Sequence, residues 1–241
     1  MDTVIRSLAE SVAEMYLEKR GEDYAPDAEL EEFAGLLTAV DWTVPRRHHP
    51  PARSVPGLAH LSPAIAAATR SGLCPVLEAL RACVGLVPWE TYYERTDWSE
   101  KFLDNFASGE LVGPSGYIPN DDISLGLFVL GPNVTYTEHA HASTEIYYVL
   151  GGGAFWSRDR KEATRWFAPG DLAFTTPDQR HEIRTSHEPL LAVYTWKSDP
   201  AARSYHYENG PWRDGQLVFS PLVPRGSTLR ANSTERHASS N

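Results

Sequence analysis

Eight short runs of β-branched and aromatic residues crowd into the stretch from Ser124 to Trp196, and they limit the fold more than any other feature of this chain. They are Ser124–Leu130, Val134–Glu138, Glu145–Leu150, Ala154–Trp156, Thr164–Phe167, Leu172–Thr175, His181–Thr185 and Leu190–Trp196. Between them stand Gly131-Pro132-Asn133, Gly151-Gly152-Gly153, Pro169-Gly170-Asp171, Pro177-Asp178 and His187-Glu188-Pro189. Those residues supply positive φ or cannot continue a ladder. Short strands at even spacing predict a small antiparallel sandwich or barrel. Trp212–Phe219 is a candidate for one further strand, and no internal repeat is present.

The first half follows a different period. Val4, Leu8, Val12 and Met15 recur at helical spacing, and Gly21 follows as a stop signal. A second helix is expected from Pro26-Asp27 to about Val40, with Leu30, Phe33, Leu36 and Leu37 on one stripe. Arg46 to Pro51 reads as loop, because the proline pair breaks helix and ladder alike. Helix resumes at Ser62-Pro63 and continues with interruptions through Leu86, and Trp89–Phe106 is expected to be helical or mixed. The pattern changes at Gly113-Pro114-Ser115-Gly116. Three parts follow: residues 1–115 as a helical region packing on the barrel, 116–220 as the barrel, and 221–241 as a disordered tail. The tail contains Leu222-Val223-Pro224-Arg225-Gly226-Ser227, identical to a thrombin-cleavage linker, and is set aside from fold and function.

Composition narrows the partners. The formal charge of −10 argues against nucleic acid and against an anionic membrane surface. No apolar run approaches the roughly 18 residues of a membrane span. The N-terminus is amphipathic and lacks the apolar core of a signal peptide, so a cytoplasmic location is expected. Cys74 and Cys83 fall on opposite faces of a helix, about 13 Å apart along its axis, too far for a disulfide.

The chemistry concentrates in Thr137-Glu138-His139-Ala140-His141-Ala142-Ser143-Thr144-Glu145-Ile146-Tyr147-Tyr148. Positions 139, 141, 145 and 147 share parity, so in extended structure two imidazoles, a carboxylate and a phenol face one side. His181 opens a later strand and offers a third imidazole. Three nitrogens and one carboxylate suit a divalent first-row metal such as Fe, Mn, Co, Ni or Zn with open positions, and not a closed structural zinc site. His48 and His49 read as loop, and His60, His187, His206 and His237 as surface. Arg180 is a candidate partner for a substrate carboxylate and reads more simply as a turn residue.

His139-x-His141-x3-Glu145-x6-Gly152 resembles the first cupin motif, and Gly170-x6-Pro177-x3-His181 resembles a version of the second. Thr185 stands where the usual later asparagine would, and the proline-to-histidine interval is one residue longer than the commonest form. The resemblance implies a mainly β fold: a cupin, or double-stranded β-helix jelly-roll barrel, here with an α-helical N-terminal region. A narrower resemblance rests on Glu145-Ile146-Tyr147, the long helical leader and the tryptophan-rich strands. These are similar to the bacterial cupin-type dimethylsulfoniopropionate lyases. That likeness implies metal ligands at His139, His141, Glu145 and His181, Tyr147 as base, and β-elimination of dimethylsulfoniopropionate to dimethyl sulfide and acrylate. A homodimer is a common cupin expectation.

The chemistry is consistent on its own terms. A metal that takes the carboxylate of a small zwitterionic or carboxylate substrate stabilises charge developing at the α-carbon. A free phenol has pKa about 10, so ionising it at pH 7 costs roughly 4 kcal/mol, a cost that a nearby cation reduces. An alkaline activity optimum is therefore expected. The cationic sulfonium calls for aromatic faces, with Tyr136, Trp156, Trp166, Tyr194 and Trp196 as barrel candidates and Tyr92, Tyr93 and Tyr117 on the helical side. The alternatives are a cupin dioxygenase or other small-carboxylate enzyme on the same metal site, and a non-catalytic cupin sensor.

Overall fold

In the N-terminal half the apolar stripes fold as expected. α1 (Asp2–Glu18) buries Ile5, Leu8, Val12 and Tyr16, and α2 (Asp27–Thr38) buries Leu30, Phe33 and Leu37 against it. A 3-10 turn at Pro56–His60 leads into α3 (Leu61–Ser71), which ends on Gly72 in the left-handed region, and α4 (Cys74–Cys83) follows. Each cysteine thus sits at one end of the same helix. A single turn, α5 (Glu100–Leu103), precedes the sheets. The computed structural model describes residues 2–48, 55–72, 74–91, 100–159, 164–202, 204–206 and 218–219. His49, Tyr92, Tyr93, His237, the tail 221–241 and residues 212–217 of the last expected strand lie outside them.

Each of the eight β runs becomes a strand: β3 (Ile123–Leu130), β4 (Thr135–Ala140), β5 (Thr144–Gly151), β6 (Ala154–Arg158), β7 (Arg165–Phe167), β8 (Leu172–Thr175), β9 (His181–Thr185) and β10 (Leu190–Lys197). The sheet starts earlier than the sequence pattern implies, because Phe106–Gly113, expected to be helical or mixed at its start, forms β1. Its two glycines and Glu110 are poor strand formers, which hides it from a propensity reading. Gly109 has a steric reason: a Cβ there would lie 2.4 Å from Cγ1 of Val87. The pairs β2 (Ile118–Pro119), β11 (Tyr205–His206) and β12 (Val218–Phe219) complete the edges.

Among the described residues two six-stranded sheets result, ordered β2-β1-β3-β10-β5-β8 and β12-β11-β4-β9-β6-β7. Apart from β1–β2, the pairings are antiparallel. Inner faces of both sheets share one core containing Phe128, Tyr136, Tyr147, Trp156, Ile183 and Tyr194. The outer face of the first sheet, with Leu125, Ile146 and Val193, packs under the helices in a second core. This is the jelly-roll barrel with a helical layer. Among the described residues, no helix is long and apolar enough to cross a membrane.

Candidate metal centre and barrel interior

Strand pairing sets the interior in rows. Thr175, Glu145, Trp196 and Ser124 lie side by side across β8, β5, β10 and β3. One row deeper come Ala173, Tyr147, Tyr194, Gly126 and, on β1, Glu110. Gly126 makes room for its neighbour, since a Cβ there would lie 2.4 Å from the Tyr194 hydroxyl. From the opposite sheet, His139 pairs directly with His181, and Tyr136 with Ile183 and then Trp156.

His139, His141 and His181 converge, their ligand atoms all within 4.8 Å of one another. All three are buried. Each imidazole is oriented through Nδ1, which donates to a backbone carbonyl: His139 to Thr137 at 2.9 Å, His141 to Ser143 at 3.1 Å and His181 to Gln179 at 2.9 Å. A carbonyl only accepts, so the proton sits on Nδ1 and a neutral ring leaves Nε2 unprotonated and facing inward. Glu145 Oε2 lies 3.2 Å from Nε2 of His141 and 3.3 Å from Nε2 of His181. Among the described residues His181 Nε2 makes no hydrogen bond of good geometry. Two ligands each about 2.1 Å from one ion sit ~3.0 Å apart at right angles and ~3.4 Å apart at the tetrahedral angle, so the observed spacings suit a shared cation. Burial would raise the Glu145 carboxyl, but with both rings protonated the charge and hydrogen bonding of His141 and His181 outweigh it and hold Glu145 well below the usual carboxylate range; with the rings neutral, a shared cation would do the same.

The surroundings tie this cluster down. Trp196 stacks on His141 with ring centroids 4.3 Å apart and donates its indole N–H to Glu145 Oε1 at 2.5 Å. Asp178 N–H donates to the His141 carbonyl at 2.7 Å, joining the turn before His181 to the first motif. Arg180, which reads more simply as a turn residue than as a substrate contact, lies just before β9 and pairs with Glu138 at 2.6 Å. Since Glu138 precedes His139 and Arg180 precedes His181, the pair ties the two histidine-bearing segments together.

Of the aromatic candidates, Tyr136, Trp156 and Tyr194 line the interior beside Tyr147, and Trp196 lies at the histidine level. Trp166 corrects the expectation: it is 40% exposed and packs edge-on against Phe155, outside the barrel. β7 is an edge strand, and Phe167, not Trp166, points inward there. Tyr117 packs on the outer, helical core and so does not line the interior. Tyr136 faces in despite its parity, because a register shift between Tyr136 and His139 inserts an extra residue into β4. It stacks on His139 with centroids 3.9 Å apart. Sequence alternation alone does not reveal that bulge, nor the anchoring roles of Trp196 and Asp178.

A family model described as dimethylsulfoniopropionate lyase matches residues 34–192. A Cereibacter sphaeroides protein with the provisional name dimethylsulfoniopropionate lyase DddL is 31% identical over 142 residues, 58% of this chain and 59% of that protein. Dimethylsulfoniopropionate lyase DddQ of Ruegeria pomeroyi is 26% identical over 131 residues, 54% of this chain and 65% of that protein. The matches thus span less than two thirds of either relative. The crystal structure of DddQ from Ruegeria pomeroyi superposes with a TM-score of 0.64 at 23% identity, over 85% of this chain and 98% of that one. A chain from crystal structures of the lyases RdDddP and RnDddQII gives 0.64 at 24% identity, over 86% and 98%. At these identities the superpositions speak to the fold.

Proposed function

Because this chain belongs to the dimethylsulfoniopropionate lyase family, we propose that it cleaves dimethylsulfoniopropionate to dimethyl sulfide and acrylate, with Tyr147 as the base and His139, His141, Glu145 and His181 as the ligands of a divalent transition metal. The observation that carries this reading is the convergence of three imidazoles and a carboxylate, with a buried phenol next along the same face of β5. A bound metal would supply Lewis-acid stabilisation of charge on the substrate carboxylate. Tyr147, as phenolate, removes a proton from the α-carbon. The C–H electron pair becomes the Cα=Cβ double bond, the Cβ–S bond breaks, and its pair leaves with sulfur as neutral dimethyl sulfide. The proton remains on the Tyr147 oxygen, and no acid is needed for the leaving group. The faces of Trp156 and Tyr194 favour the sulfonium cation by roughly 0.5–2 kcal/mol each, whereas Tyr136 is stacked between His139 and Phe102.

The test is headspace measurement of dimethyl sulfide from the metal-loaded wild type and Tyr147→Phe. Phenylalanine keeps the ring contacts with Phe128, Trp156 and Tyr194. Loss of a general base removes about 10²–10⁴-fold in rate. A Tyr147→Phe variant that releases sulfide at the wild-type rate rejects the base assignment. A metal-loaded wild type that releases none, with or without oxygen present, rejects the lyase reading.

A further inference from the structure

Thr175 is 1% exposed and its hydroxyl has no hydrogen-bond partner among the described residues. Its direction is set by the strand. On β8, Leu172 and Phe174 belong to the outer core and Ala173 to the inner one, so Thr175 shares the inward face with Ala173. It is the direct cross-strand partner of Glu145. A second buried donor on the same interior, the Trp156 indole N–H, also has no hydrogen-bond partner among the described residues. Buried hydroxyls normally find an acceptor, because an unmade hydrogen bond is costly in a dry interior. The neighbouring side chains explain why this one does not. Glu145 already receives the Trp196 N–H at one oxygen and faces His141 and His181 with the other. The hydroxyl therefore stands beside the histidine cluster, on the inward wall, with its proton uncommitted.

We propose that Thr175 is a substrate-positioning residue whose hydroxyl donates to the carboxylate of a small acid bound beside Glu145. The inference rests on the reading of this interior as a carboxylate-binding metal site, and it deepens that reading by naming one of the groups that fixes the acid's orientation. A carboxylate is the chemistry the position fits: it only accepts, it is compact, and hydrogen bonds to charged groups are the stronger kind.

The experiment compares Thr175→Val and Thr175→Ser with the wild type, each loaded with metal. Metal stoichiometry, thermal midpoint, calorimetric affinity for propionate and acrylate, and KM and kcat for dimethylsulfoniopropionate are read for all three. Valine has nearly the same shape without the hydroxyl. The expected result is at least a tenfold weaker affinity and raised KM in Thr175→Val, with metal content unchanged and the thermal midpoint equal or higher, and near-complete recovery in Thr175→Ser. A purely structural hydroxyl would give the opposite split, a lowered midpoint with unchanged carboxylate affinity, and that outcome overturns the inference. Unchanged affinity and unchanged midpoint overturn it as well. If the wild type itself binds neither carboxylate nor metal, the functional reading falls first and this inference falls with it.

Discussion

At the scale of single residues, the arrangement around Glu145 divides the two carboxylate oxygens between two tasks. Oε1 is held by the Trp196 indole, and Oε2 faces His141 and His181. Fixing one oxygen fixes the aim of the other, as outer hydrogen bonds commonly do for metal-binding side chains. Trp196→Phe keeps an aromatic face on His141 and removes only the donor. We expect affinity for Co(II) or Zn(II) to fall about 10–100-fold while the fold is retained. Titration with a competing chelator measures it, and an unchanged dissociation constant would mean that the indole merely fills space. The sequence carried the candidate ligands and the candidate base plainly, because the spacing of His139, His141, Glu145 and Tyr147 needs no tertiary information. Trp196 was legible only as one more aromatic in a strand. Its contact with Glu145 depends on β10 pairing with β5 in one register, a relation between positions 51 apart.

At the scale of elements, β1 ties the barrel to the loop that follows it. Glu110 is half-buried, and its carboxylate accepts the Ser115 N–H at 2.6 Å and the Ser124 hydroxyl at 3.2 Å. Burial pushes its pKa up to about 7, with hydrogen bonds from Ser115, Ser124 and Gly116 and the charge of Arg47 only partly opposing. A carboxyl with a raised folded-state pKa contributes stability that is fully present below its unfolded value near 4.5 and is lost as pH rises through about 7. After allowance for partial exposure, the difference is roughly 2–3 kcal/mol. Glu110→Gln is neutral at every pH and keeps an acceptor for Ser115. The wild type should therefore lose stability relative to the variant between pH 5 and pH 8, as read by denaturant unfolding at both values. Parallel curves would show that the carboxylate is well solvated. The eight strands from Ser124 onward were readable because turn residues bracket each one. β1 was not, since Gly109 is there for close packing and neither it, Glu110 nor Gly113 carries a strand signal. The bulge in β4 was equally hidden, because an inserted residue looks in sequence like any other.

At the scale of the molecule, the two faces of the first sheet have different work. The inner face builds the site, and the outer face presents Leu125, Leu127, Ile146, Tyr148, Leu191 and Val193 to the helices. Fully burying a side chain of this kind is worth about 1.5–3 kcal/mol, so six of them represent on the order of 10 kcal/mol. That matches the entire stability of a typical domain, about 5–15 kcal/mol. The helical layer is also joined to the sheet by polar contacts. The Tyr16 hydroxyl meets that of Thr195 at 2.6 Å in a buried pair, and Lys197 at the end of β10 reaches Glu29 at 2.9 Å and Glu32 at 2.5 Å on α2. A chain lacking α1 and α2 would expose much of that apolar face and leave the Thr195 hydroxyl without its partner. We expect such a chain to aggregate or bind hydrophobic dye, and to lose near-ultraviolet circular dichroism, even though every metal-binding and base candidate is still present. Recovery of a monomer with a native-like near-ultraviolet spectrum would show that the barrel is stable alone. The helices would then be a covering layer, and the marginal balance drawn from the six outer residues would be wrong.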